Sequence, residues 1–358
     1  MMDFKRKRDM KTGKTLTELA VELDRQANVK RDFLAPTTAM TVKTEEKATI
    51  VTLEGAGDFP LTENCHDQFA SRLDIPKKYY DKMRASASPL LDENINHWLK
   101  AQEKQNMLRT LDGNARALLS NRYRPLDNFD LLQVALPVIT KAGCRIESCE
   151  VTERRLYIKA VTDRLEFKCV GDVVQAGIII SNSEIGDGRL MIDPLLFKLG
   201  CLNGMIINDA QMKRTHIGKG HDALEQAQEY FRDSTREADD RAFWMKVQDV
   251  IMASFDSVMF QRHVDAFNAA HNDKISSEPV KVVEVAQKRF NFTEGENNGI
   301  LKYLFRDGDL SRYGLANAIT RMAQDVDSYD RSTDLERIGG RIIELPKQDW
   351  ELINREAA

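Results

Sequence analysis

The sequence predicts an α+β protein: an antiparallel β-rich central region with packed helices, followed by a mainly helical C-terminal portion. Three observations carry this prediction. The β-type segments Arg145–Thr152, Arg155–Thr162, Leu165–Cys169 and Val173–Ser183 follow one another across short polar corners. Beyond Gly220, apolar residues recur at helical spacing. The 358 residues are 42% hydrophobic and 30% charged, which supplies a core and excludes a fully disordered chain.

The first fourteen residues carry Lys5, Arg6, Lys7, Arg8, Lys11 and Lys14 against Asp3 and Asp9 and read as a flexible basic arm. No apolar run follows it, so it is not a secretory signal. Thr15–Ala27 reads as a helix, with Leu16, Leu19, Ala20 and Leu23 on one side. Ala39–Leu53 reads as a hairpin broken at Thr44–Lys47. Helical stretches follow around Ile75–Pro76 within Gln68–Met83, and again at Leu90–Gln102. Met107–Leu111 and Ala115–Ser120 form a second hairpin, since Asp112-Gly113 readily supplies positive φ angles. A helix begins at Asp127 and stops at Gly143, and the β-rich run comes next.

The expected helices of the back portion are His221–Phe255, Ser257–Ala270, Pro279–Phe290, Glu294–Phe305 and Ser311–Ser328. Pro279 suits a first helical position, and Thr293 with Glu296 has capping-box spacing. Three regions are expected: residues 1–38 as arm and short helix, 39–220 as a mixed α/β core domain, and 221–358 as a mainly helical region.

With 52 basic and 56 acidic residues the formal net charge is −4, which argues against a globally basic nucleic-acid coat but leaves room for a local groove. Residues 141–219 hold twelve basic and ten acidic residues, and His221–Asp240 holds seven acidic and two basic. The five cysteines, Cys65, Cys144, Cys149, Cys169 and Cys201, include no C-x-x-C pair and read as free thiols in a reducing cytosol. No stretch approaches the roughly 20 apolar residues of a membrane span. The expected location is cytoplasmic, away from membranes.

Most catalytic motifs fail on inspection. Gly13-Lys14-Thr15 imitates the end of a P-loop, but Arg8 stands where the first glycine is needed. Gly55-Ala56-Gly57 and Gly186-Asp187-Gly188 lack the final glycine of a dinucleotide fingerprint. The six histidines are scattered without a metal-binding pair, so neither metal nor cofactor is expected. Glu166-Phe167-Lys168 places an acid and a cation on one face of a strand, as metal-dependent nucleases do, but no partner aspartate sits on a suitable element. Ser181-Asn182-Ser183-Glu184 has two readings: a phosphate or sugar contact, or a turn satisfying its own backbone.

Arg122-Tyr123-Arg124 combines two guanidiniums with an aromatic ring, which suits phosphate contact with base stacking; a core tyrosine between two exposed arginines is the other reading. Arg154, Arg155, Lys159, Lys213 and Arg214 belong to the basic residues gathered along the β region.

Several segments resemble the phage/plasmid-like proteins grouped as domain of unknown function 932. They are Phe59-Pro60-Leu61-Thr62, Arg72-Leu73-Asp74-Ile75-Pro76 with Tyr79-Tyr80, Leu119 to Asn128, Gly177 to Gly186, Cys201-Leu202-Asn203-Gly204-Met205, Gly314 to Thr320, and Leu335 to Gly340. The resemblance runs in order over roughly residues 50–345. It implies a mobile-element setting and carries no catalytic residues with it.

The expectation is therefore a non-enzymatic protein that binds single-stranded DNA, as a homo-oligomer, in the manner of strand-annealing recombination proteins. Such annealing needs a groove for the backbone and no ATP. Arg122, Tyr123, Arg124, Arg154, Arg155, Lys159, Asn182, Lys213 and Arg214 are the candidate contacts. One alternative is an interaction protein that inhibits or redirects a host factor or defence system. Another is a metal-dependent nuclease built on Glu166 and Lys168.

Overall fold

The structure, a computed structural model, describes residues 13–45, 48–123, 125–199, 203–207 and 233–357. Its opening helix α1 (Leu16–Val29) starts from a capping box. The Thr15 N–H and hydroxyl donate to the Glu18 carboxylate, each at 2.8 Å, and the Glu18 N–H returns to Thr15 Oγ1 at 3.2 Å. The Gly13-Lys14-Thr15 segment that imitates a P-loop end thus leads into a helix capped by Thr15. Next come β1 (Arg31–Pro36), β2 (Met40–Glu45), β3 (Ala48–Leu53), β4 (Gly57–Pro60), α2 (Glu63–Arg72), α3 (Lys77–Ser86), α4 (Ser88–Gln102), β5 (Gln105–Leu111) and β6 (Asn114–Ser120).

These segments build an N-terminal unit of Ala20–Asp130 with Ser183–Gly188. Its sheets are antiparallel, with orders β1-β5-β6 and β2-β3-β4. The β5–β6 hairpin turns on Asp112 and Gly113, at φ 51° and 76°, the two positive angles its tight turn requires. Met40, Val42, Val51 and Leu53 alternate onto one face of β2–β3, into a core shared with Phe69, Leu91, Ile95, Leu99 and Leu118. The outer edge of β2 is closed by α4: Asn96 exchanges two hydrogen bonds with the Val42 backbone at 2.7 and 2.8 Å, and Asp92 accepts from the Thr44 N–H at 2.7 Å.

The second unit gathers the described residues within Met1–Leu19, Leu131–Asn182 and Arg189–Ala358. After α5 (Asn128–Lys141), which spans the boundary, come β7 (Arg145–Val151), β8 (Leu156–Cys169), β9 (Asp172–Asn182), β10 (Met191–Lys198) and β11 (Asn203–Ile206). They form one antiparallel sheet in the order β11-β10-β9-β8-β7. The two strands expected at 155–162 and 165–169 are one strand, whose register shifts between Thr162 and Glu166.

Among the described residues, seven helices follow in this unit: α6 (Asp233–Ala253), α7 (Ser257–Asn272), α8 (Pro279–Phe290), α9 (Glu294–Asp307), α10 (Arg312–Met322), α11 (Tyr329–Ile343) and α12 (Lys347–Glu356). The predicted Thr293/Glu296 capping box forms at the start of α9. Gly339 and Gly340 let α11 lie close to its neighbours. A Cβ on Gly340 would stand 1.8 Å from the Ile206 carbonyl oxygen, and one on Gly339 2.4 Å from the Thr320 methyl.

The expected regions do not match this division. Residues 31–36, assigned to the arm, are β1 and pair with β5. A boundary at 220/221 fails because Val174, Ala176, Leu196 and Met205 of the sheet share one core with Phe260, Val283, Leu315, Ile338 and Ile353 of the helices. The expected α+β class, antiparallel strands followed by helices, is the class observed. Among the described residues no helix is long and apolar enough to cross a membrane.

Candidate nucleic-acid interface

The expected groove residues do not share one unit. Arg122 and Tyr123 follow β6 in the N-terminal unit, where Arg122 is exposed. The Tyr123 ring packs against Ala117, Leu119 and Ile185, and its hydroxyl donates to the Ser183 carbonyl at 3.3 Å. Burial raises the phenol pKa. Tyr123 therefore has the surroundings of a core tyrosine. Arg124, Lys213 and Arg214 lie outside the described residues, as do Cys201 and most of the acidic segment His221–Asp240.

The Ser181–Glu184 segment supports the fold. The Ser183 hydroxyl accepts from the Asp187 N–H at 3.1 Å and from the Ile185 N–H at 3.4 Å, which is the turn reading of this motif. Glu184, only 3% exposed, meets Arg116 at 3.1 Å and accepts from the Asn128 N–H at 2.7 Å, at the start of α5. Its carbonyl accepts from Arg109, which also holds Asp32 at 2.8 Å and Asp127 at 2.9 Å. Lys30 joins Asp127 at 2.5 Å. Three cations thus face three carboxylates, the condition for keeping charges out of water.

In the second unit, Lys159, a groove candidate by sequence, does not line a groove: it is 8% exposed, with its ammonium 2.6 Å from Glu336 and 5.2 Å above the Tyr329 ring. Burial would lower its pKa, yet the Glu336 carboxylate more than reverses that and the net shift is upward. The same sheet face carries other ties to α11. The Tyr157 hydroxyl donates to Asp330 at 2.8 Å, the Tyr329 and Ser148 hydroxyls lie 2.6 Å apart, and Arg337 reaches Asp193 at 3.0 Å and the Ser181 hydroxyl at 3.1 Å. Asn182, 1% exposed, is likewise too buried to touch a nucleic acid.

Arg154 and Arg155 stand differently. They occupy the β7–β8 corner, where the Thr152 hydroxyl accepts from both backbone N–H groups at 3.2 and 3.0 Å. Arg154 is exposed and Arg155 half-buried. The neighbouring strand β7 is a sheet edge, and the chain entering from the basic N-terminal segment is fastened to it. Gly13 and Lys14 bridge to Cys149: the Lys14 N–H donates to the Cys149 carbonyl at 2.7 Å, and the Lys14 ammonium meets Glu150 at 2.9 Å. Sequence reasoning missed this anchor because its partners lie far apart in the chain and an isolated bridge leaves no periodic signal.

The nuclease residues keep the alternation expected of them. Glu166 and Lys168 are exposed, while Phe167 packs against Phe260 with ring centroids 4.9 Å apart. Glu166 accepts from Gln175 at 2.5 Å. Among the described residues there is no group of three His, Cys, Asp or Glu side chains that could hold a metal ion. A cleft of about 600 Å³ elsewhere in this unit includes Lys198, His271, Lys274, Asp307, Asp309 and Tyr313 in its lining. His271 and Asp309 pair at 3.0 Å, and the two lysines are balanced by the two aspartates, so charge selects no ligand there.

A family model matches residues 116–340, more than half of the chain. The chain belongs to the family described as Domain of unknown function (DUF932). The resemblance read over roughly 50–345 is therefore supported from β6 to α11. No curated protein and no solved structure matches the chain. Within the matched DUF932 segment fall both members of the Arg116–Glu184, Lys159–Glu336 and Asp193–Arg337 pairs.

Proposed function

We propose that this DUF932 protein binds single-stranded DNA, without chemistry of its own, and supports strand annealing in a phage or plasmid setting in the cytoplasm. The observation that carries the proposal is the β7 edge. A segment bearing Lys5, Arg6, Lys7, Arg8 and Lys11 enters the fold at Gly13–Lys14, on the strand that leads into Arg154 and Arg155. A sequence rich in cations that joins the fold beside two further arginines can release counterions from a phosphate backbone even when the whole chain is slightly acidic. Annealing by homo-oligomers belongs to the same proposal, since a protein that holds the backbone leaves the bases open to a complement.

Fluorescence anisotropy with a labelled single-stranded oligonucleotide, with matched duplex as competitor and a salt series, tests it. Salt-sensitive binding that favours the single strand is expected. Replacing Arg154 and Arg155 together by Gln should lower the log–log salt slope by about 1.4, two contacts at roughly 0.7 each. Absence of binding at low salt sinks the proposal and turns the search toward a protein partner.

A further inference from the structure

The sequence of α3 works against the helix's own stability. Two of its four cations, Lys77 and Lys78, stand in the first turn, where the helix dipole favours anions. No side chain caps that end. Lys78 and Lys82 repel each other at i,i+4. Neighbours relieve only part of this: Lys77 pairs with Asp67 at 2.9 Å and with Asp81, and Arg84 grips Glu63 with two bonds of 2.7 and 2.6 Å. Among the described residues Lys78 and Lys82 have no ion-pair partner, and both are exposed.

Between them stands Tyr79, 45% exposed. Lys78, Lys82 and Tyr79 fall within a sector of roughly 100° around the helix. The rest of the helix is anchored: Tyr80 and Met83 are buried, and the Tyr80 hydroxyl lies 2.7 Å from His66 Nδ1. The helix is therefore held in place by its buried residues, while Lys78 and Lys82 stay in solvent.

We infer that this face of α3 is a stacking site for single-stranded DNA, with Tyr79 receiving a base and Lys78 and Lys82 the flanking phosphates. The inference rests on the single-stranded DNA reading above and adds a site in the other unit. A single strand offers both groups together, phosphates for the lysines and an open base face for the ring. Duplex DNA would meet the lysines but keep its base faces stacked inside.

The test is oligonucleotide binding by the full chain across a salt series, comparing Tyr79→Ala, Tyr79→Phe and the double variant Lys78→Gln/Lys82→Gln, each checked for an unchanged unfolding midpoint. Tyr79→Ala should weaken binding by about 5- to 150-fold, and Tyr79→Phe should retain it. The double lysine variant should lower the log–log salt slope by about 1.4. If the native chain binds and these variants bind equally well, α3 is not the site while the broader reading stands. If the native chain does not bind single strands, both fall. Loss of a protein partner from the same variants, with DNA binding intact, would assign the face to protein instead.

Discussion

Replacing Lys159 by Met separates a structural cation from a DNA-binding one. The substitution keeps most of the aliphatic stem and removes the charge from a site 8% exposed, 2.6 Å from a Glu336 carboxylate that is itself 1% exposed. At an effective dielectric constant near 20, the attraction across that distance is roughly 6 kcal/mol. Most of it offsets the cost of removing two ions from water, so the intact pair contributes little net stability. Losing one partner is different, because Glu336 would remain as an uncompensated buried charge. That costs about 3–5 kcal/mol. Chemical denaturation should show the loss for Lys159→Met and recovery of most of it in the double variant Lys159→Met/Glu336→Leu. Oligonucleotide binding by the folded protein should keep its salt slope. A stable Lys159→Met protein whose slope drops by about 0.7 would show that this ammonium contacts phosphate and that the packing argument is wrong.

Two further outcomes follow from the same packing. His66 is 1% exposed, and burial, with a smaller contribution from the Arg84 charge, holds its pKa down to about 4 against 6.5 for the free side chain. The unfolded chain therefore binds a proton that the fold refuses, and stability falls as pH drops from about 6.5 toward 4. Between pH 7 and pH 5 the loss is about 2 kcal/mol. It should appear in denaturation midpoints and be absent from the slope of His66→Gln; equal slopes for the two proteins would refute it. Gly340→Ala would press a methyl against the Ile206 carbonyl, where the added Cβ has only 1.8 Å. A loss of about 1–3 kcal/mol is expected, and an unchanged thermal midpoint would show that α11 does not lie as close to β11 as described.

Sequence patterns were legible wherever the deciding interaction is local. Asp112-Gly113 specifies its hairpin, and Thr293 with Glu296 specifies the start of α9, because each uses partners within four residues. One kind of miss is a pairing between distant segments, and another is a local strand whose composition argues against it. Strand β1 ends in Pro36 and finds its partner β5 about seventy residues later, so nothing near it announces a strand. Strand β10 contains Pro194, which weakens a strand reading, yet it pairs on both sides, with β9 and β11.

The candidate site shows the same limit more sharply. Lys159 was grouped with Arg154 and Arg155 because all three are basic and close in sequence. Its immediate neighbours say otherwise: Leu156, Tyr157, Ile158, Ala160 and Val161 are all buried. A lysine inside such a run is rarely solvated and must be paired if the strand is buried on both faces. That inference was available from the chain, but the identity of the partner, Glu336 on α11, was not. Arg154 is exposed and Arg155 half-buried at the corner where the Thr152 hydroxyl accepts from both backbone N–H groups. The difference in burial between these basic residues is therefore set by position relative to the strand end. Arg154 and Arg155 stand at the corner before the strand, while Lys159, inside it, is committed to the core.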